Sequence, residues 1–320
     1  MGMTHGRNAA ANPRLDLAYL IDPRADVAVG FAGEIGAAVA SFDEALADPD
    51  LAGVIVASST DTHLQAVLAC LTAGKAVFCE KPLDLELSRL RDSEAAFAAA
   101  KAPLYVAFNR RFDPQFQALK AKIAAGEVGT LETLHLISHD PQAPPADFIP
   151  TSGGLFRDFT IHDFDTARWL LEEEPVEVFT WASALVDPAI AAAGDVDTAR
   201  TILTTGSGRL CVISNTRRSG YGYDQRVEAY GSAGVAMAGN VHVSTVETWN
   251  AAGAHAAPIH AGFADRYGDA YRREMDHFAD VLAGETAPLT GYDASVRSLA
   301  LAEAARRSVQ TGAPVKVADI

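Results

Sequence analysis

Three side chains in this sequence could together take a proton from an alcohol: the ammonium of Lys81, the imidazole of His162 and the carboxylate of Asp158. The imidazole is suited to the base role because its unperturbed pKa, about 6.5, permits exchange near neutrality. The spacing predicts a helix over Asp158–Leu171, and at about 3.6 residues per turn two faces separate. Ile161, Phe164, Ala167 and Leu171 fall on one, and Asp158, His162, Asp165 and Trp169 on the other. Asp158 and His162, four apart, should then stand one above the other and share a ligand or a hydrogen bond. Read alone, the same pattern fits a solvated helix face equally well.

The elements that must position Lys81 shift that balance. Gly53–Ser59 and Ala76–Cys79 are short apolar, β-branched runs of the kind buried in parallel sheets. Between them Thr60–Leu71 has a Thr or Asp cap, alanine-rich helical spacing and a closing Gly74. The three make a βαβ unit, and ligands of such sheets bind beyond the carboxyl ends of the strands, where Lys81 lies. Pro82 lacks an N–H, ends ladder pairing and helps hold the lysine at the rim.

Upstream, Leu15–Ile21 reads as a strand ending in Asp22, where a dinucleotide fold places an acid on the adenosine ribose. The matching G-x-G-x-x-G belongs roughly 20 residues earlier, after a first strand. Met3–Asn12 has the character of the helix that follows such a loop, which makes Gly2 its last glycine and leaves the first strand and two glycines outside the sequence. That strand is central in the order 3-2-1-4-5-6, and each buried backbone group left unpaired costs about 1 to 3 kcal/mol. The expectation is a chain starting downstream of its natural start, or a truncated product with impaired cofactor binding.

Composition narrows the class. A chain of 320 residues is long enough for two cored domains, and a net charge of −15 repels phosphate backbones and anionic membranes. No run approaches a membrane span and the N-terminus has no signal-peptide pattern, so a cytoplasmic location is expected, without nucleic-acid or membrane partners. Cys70, Cys79 and Cys211 are isolated in apolar runs, as reduced core thiols are. His135, His139, His255 and His260 lack a third partner at metal-ligand spacing, so no metal site is expected. The chain divides near Arg110, into a Rossmann-type α/β domain over 1–110 and an α+β domain over 111–320. Strand-like runs at Leu131–Ser138, Val176–Leu185, Thr198–Thr205, Leu210–Asn215 and Arg226–Tyr230 imply a mostly antiparallel open sheet. Helical spacing returns over 263–284 and again from about Ala294 to Gln310.

Several motifs occur in one order: Asp22-Pro23, Ser59-Thr60-Asp61-Thr62-His63, Ala73-Gly74-Lys75, Glu80-Lys81-Pro82, Asn109-Arg110-Arg111-Phe112-Asp113, and Ser152-Gly153-Gly154 through His162-Asp163. In that order the chain resembles the glucose-fructose oxidoreductase, inositol dehydrogenase and MocA family from Gly2 to Val317. The runs Gly153–Asp165, Tyr221–Glu228 and Arg266–Glu274 resemble its inositol dehydrogenases in particular. The resemblance implies NAD-dependent oxidation of a secondary alcohol of a cyclic polyol, myo-inositol to scyllo-inosose. It leaves open another sugar or inositol isomer, or a sugar-binding homologue with impaired cofactor binding. It implies Lys81, Asp158 and His162 as catalytic residues, with lysine and histidine meeting at one alcohol oxygen. Gly2, Asp22, Ser59, Thr60, His63, Glu80, Lys81 and Asn109 are implied for the cofactor. Arg111, Asp140, Asp158, His162 and Tyr223 are implied for the polyol. A homotetramer, or failing that a dimer, completes the expectation. Asp22 favours NAD over NADP by accepting from ribose hydroxyls and repelling a phosphate, with Arg24 close by as a counterweight.

Overall fold

The β-branched runs of the N-terminal third become parallel strands. The computed structural model describes residues 1–145 and 147–320, and in it β1 (Tyr19–Leu20) pairs with β2 (Ala38–Val39). A second parallel sheet contains β3 (Gly53–Val56), β4 (Ala76–Glu80) and β5 (Leu104–Ala107), in that order. Central β4 is buried along its whole length, as a strand with neighbours on both edges and layers on both faces must be. Among the described residues no strand joins the two sheets. The strand anticipated over 15–21 is regular only at Tyr19 and Leu20, because its partner offers two residues for pairing. Between β3 and β4, a 3₁₀ turn (Thr60–Thr62) leads into the helix His63–Thr72, which buries Leu64, Val67, Cys70 and Leu71 and ends at Gly74 with φ 75°.

This unit comprises residues 1–109 together with 270–297, whereas the sequence reading divides the chain once, at 110. Its later segment comes from the helix Gly268–Leu282 and the first turns of the helix Tyr292–Thr311. Phe278 packs edge-on against Phe78 of β4 at 5.7 Å between ring centres, and the Tyr105 hydroxyl of β5 donates to Glu274 at 2.7 Å.

The second unit, 110–269 with 298–320, is built on a seven-stranded sheet. Its strands are β6 (Leu131–His139), β7 (Pro175–Ser183), β8 (Thr198–Thr205), β9 (Leu210–Thr216), β10 (Asp224–Gly231), β11 (Gly234–Ala238) and, near the chain end, β14 (Val315–Lys316). Two further strands, β12 (Glu247–Asn250) and β13 (Gly253–Ala256), form a separate exposed hairpin. The order is β11-β10-β6-β9-β8-β7-β14, parallel only at β6–β9. Alternation sorts the side chains: Leu134, Leu136 and Ser138 point to a buried face that the helix Ile161–Leu171 covers, while His135, Ile137 and His139 point to the other. That other face leaves Trp181, Ile202, Tyr230 and Met237 exposed.

Cys70, Cys79 and Cys211 are buried free thiols, and burial pushes Cys70 up to about 11. No helix among the described residues is long and apolar enough to cross a membrane. Where β10 shifts register against β6, Gly231 lies so close to the 128–130 turn that an added Cβ would sit 2.3 Å from the Val128 carbonyl oxygen and 2.8 Å from that of Thr130. Gly231→Ala should therefore cost about 2 kcal/mol or more, read as a lowered melting temperature in thermal unfolding.

Candidate active site

At the carboxyl ends of the first unit's strands several predicted residues gather. Gly2 opens the helix Gly2–Ala11, and a Cβ built on it would meet Ala57, just past β3, at an ordinary 3.6 Å. The first N–H groups of that helix have no partner within it, the arrangement that favours a phosphate. Ser59 and Thr60 follow β3, with Ser59 exposed. Asp22, past β1, accepts from the backbone N–H of Arg24 at 2.9 Å and from its Nε at 3.1 Å. Those bonds hold the carboxyl below its ordinary range, so it is an ionised acceptor at neutral pH. Asn109 is buried just beyond β5. A helix N-terminus, exposed hydroxyls and an ionised acid at the strand ends fit a dinucleotide.

Two of the predicted cofactor residues are turned inward. His63 is buried, with Nδ1 2.8 Å from the Pro82 carbonyl oxygen and Nε2 3.2 Å from that of Ser58, so it ties the loops after β3 and β4 together. Glu80 sets one oxygen 2.6 Å from His5 Nε2, and the other accepts the Lys81 N–H at 3.2 Å. Lys81 itself, at the end of β4, is half-buried.

In the second unit the sequence around Asp158 folds differently from the expected α-helix. Gly153 and Gly154 both take positive φ, and Leu155–Thr160 form a π-helical turn before the α-helix starts at Ile161. A Cβ on Gly154 would lie 2.7 Å from Asp195, whose carboxylate accepts the Leu155 N–H at 2.9 Å and so secures the start of the turn. Asp158 thus lies in the π-helical turn, with its wider i→i+5 winding, and His162 in the α-helix that follows it. Asp158 reaches Arg217, 3.3 Å away, and the same guanidinium lies 3.3 Å from Asp140. Arg217 is buried, lies 5.4 Å over the Phe159 ring, and its Nε has no partner among the described residues.

Beside this cluster, and next to His162 in sequence, Asp163 is fully buried. It accepts from Arg110, from Ser138 Oγ at 2.5 Å and from Asn215 Nδ2 at 2.8 Å. Asn215 Oδ1 in turn accepts from Thr160 Oγ1 at 2.9 Å, so β6, β9 and the helix carrying His162 are pinned by one carboxylate. Tyr223 is buried edge-on to Tyr267, and burial pushes its hydroxyl well above the ordinary range. Arg111, a predicted polyol ligand, spends its fork on Asp165 at 2.7 and 2.8 Å. The Asp165 face of the helix is thus buried and paired, not solvated.

The sequence reading missed His5, Arg217, Ser138 and Asn215. A signal for Arg217 was present: it follows directly on the strand run that ends at Asn215-Thr216, the kind of strand end already used to single out Lys81.

The fold and these strand-end residues define a pyridine-nucleotide oxidoreductase with a separate α+β domain. Residues 1–108 match "Oxidoreductase family, NAD-binding Rossmann fold" and residues 116–237 match "GFO/IDH/MocA C-terminal domain". Inositol 2-dehydrogenase of Rhizobium meliloti is 42% identical over 320 residues, covering 99% of this chain and 96% of the relative. Myo-inositol 2-dehydrogenase of Thermotoga maritima is 40% identical over 323 residues, covering 100% and 96%. The crystal structure of a myo-inositol dehydrogenase from Corynebacterium glutamicum superposes with a TM-score of 0.94 at 38% identity, covering 98% of this chain and 95% of that one. The chain belongs to the Gfo/Idh/MocA family and is an NAD-dependent oxidoreductase.

Asp140 offers a direct check on the second unit's electrostatics. Burial raises its carboxyl to about 6, against the attraction of Arg217 and reinforced by the charge of Asp158. A folded pKa above the unfolded value of about 3.9 means that the ionised form disfavours the fold. Its stabilising contribution is complete below pH 4 and lost as pH rises through about 6. Relative to wild type, Asp140→Asn should gain melting temperature between pH 4 and pH 7; a difference that stays flat over that range would contradict this placement.

Proposed function

We propose that the chain oxidises the secondary alcohol of myo-inositol to the ketone scyllo-inosose, with NAD becoming NADH. The observation that carries this reading is full-length identity of about 40% to two inositol 2-dehydrogenases. The polar cluster of the second unit supports it. Asp140 and Asp158 both lie 3.3 Å from the guanidinium of Arg217, so the cluster combines carboxylate acceptors with a guanidinium donor, the two kinds of partner that a neutral ring of hydroxyls takes.

The dinucleotide would be held by the N-terminus of the helix that Gly2 opens, by Ser59 and Thr60, by Asn109 and by Asp22 at the ribose. Bound NAD supplies the hydride acceptor. His162 takes the proton of the reacting hydroxyl as general base. Lys81 donates to that oxygen and stabilises its developing negative charge. Asp158 accepts from a neighbouring hydroxyl and orients the ring, with Asp140 and Tyr223 binding further hydroxyls. Glu80 and His63 serve this scheme as struts beneath Lys81 and the β3 loop, and Arg111 as a clamp on the His162 helix.

A homotetramer located in the cytoplasm is part of the proposal. Association of copies is supported by the second unit's outward sheet face, which carries Trp181, Ile202, Tyr230 and Met237 in the open.

A panel of inositol isomers and sugars assayed for NADH formation tests the substrate, with myo-inositol expected to give the highest kcat/KM. Lys81→Ala and His162→Ala should each lower kcat by about 10²- to 10⁴-fold. Unchanged rates in either variant would remove that residue from the chemistry. Asp22→Ala should narrow the preference for NAD over NADP in the same assay.

A further inference from the structure

His5 has no place in the scheme above, yet it is among the most enclosed polar side chains of the first unit. It lies in the helix Gly2–Ala11 with no exposed surface, walled edge-on by the rings of Phe78 at 4.7 Å and Tyr271 at 5.8 Å. Its Nε2 is 2.6 Å from Glu80 Oε1, and its Nδ1 has no partner among the described residues. Glu80 is the last residue of β4 and folds back on its own chain, so that Oε2 accepts the N–H of Lys81 at 3.2 Å. One carboxylate therefore joins a buried imidazole to the backbone of the next residue.

The neighbouring charges leave Glu80 the ionised acid of the region. Burial alone would raise its carboxyl, but the hydrogen bond and charge of His5, then the charge of Lys81, hold it below the ordinary range. Glu274 is fully buried and is pushed well above that range, first by burial and then by the charge of Glu80, so it stays protonated while accepting from Tyr105. An ionised Glu80 is the stronger acceptor for the Lys81 N–H.

We propose that His5 is a positioning residue for Lys81: by fixing the Glu80 carboxylate it fixes the Lys81 amide, and with it the direction in which the lysine side chain leaves the strand. This rests on the reading of Lys81 as the donor to the reacting oxygen.

The test separates the positioning from the activity. In the full chain labelled with ¹⁵N-lysine, amide hydrogen exchange at Lys81 is compared with that at Lys75, whose N–H is bonded to the Cys70 carbonyl away from this pair. His5→Asn and His5→Gln are matched polar variants, but only glutamine's amide nitrogen reaches the position of Nε2. His5→Asn should speed Lys81 exchange at least tenfold without changing Lys75, and His5→Gln should stay within threefold of wild type. Glu80→Gln, whose amide offers one acceptor for two donors, should match His5→Asn, and the double variant should exchange no faster than either single one. In the NADH assay His5→Asn should lower kcat ten- to a hundredfold, with KM for NAD and polyol within threefold, and His5→Gln should restore it. Unchanged Lys81 exchange in both His5→Asn and Glu80→Gln, equal acceleration at Lys75, or a KM for NAD that rises in step with the loss of kcat overturns the proposal. If wild type oxidises no polyol, the functional reading fails, and the exchange data still decide what His5 does.

Discussion

The second unit is organised around one buried negative charge. Asp163 has no solvent to stabilise it, so its oxygens take donors from Arg110, Ser138 and Asn215, three points on different elements. A buried ion pair is weak evidence for net stability, since desolvation offsets much of the attraction. Its effect here is geometric. Each donor lost would leave the carboxylate less well satisfied in a dry interior, so the three together favour one rotation and depth of the helix on the sheet. The residue before Asp163 is His162, and the imidazole inherits that rotation from its neighbour.

The first unit solves the same problem in two opposite ways. Glu80 keeps its charge because an imidazole and a backbone N–H meet it, whereas Glu274 gives up its charge to a proton. Two carboxylates in one apolar interior repel, and the one that ionises is Glu80, beside an imidazole and a backbone N–H, while Glu274 has only the Tyr105 hydroxyl. The strand end that carries Lys81 is thereby held from beneath by polar groups that never reach solvent.

Much of this was legible in the residues. The β-branched runs around Gly53 and Ala76 became strands, Lys81 falls at a strand end, and the outward and inward faces of β6 follow its alternation. Local geometry that depends on distant atoms was not legible. The π-helical turn at Leu155–Thr160 needs Asp195, forty residues on, to secure its first N–H, so a 3.6-residue period mispredicts it. Arg111 was read as a polyol ligand and Asp165 as part of a helix face that could be solvated, each without the other, whereas the two form a forked ion pair that buries Asp165. His63 looked like a cofactor residue from its place after a strand, yet its ring nitrogens face carbonyls of two loops. In all three the partner is distant in the chain or in another loop, and such pairing is a property of the assembled chain and not of a window of sequence.

The first unit is discontinuous: residues 270–297 complete a body that residues 1–109 begin. Tyr105 and Glu274 are separated by 169 positions, and Phe78 finds Phe278 across a similar gap. On a ribosome that delivers about 5 to 20 residues per second, the amino-terminal strands therefore spend many seconds in the exit vestibule with their aromatic layer uncovered. The order of synthesis runs against the order of packing, because the body begun by residues 1–109 is closed by a segment made after the intervening 160 residues, 110–269.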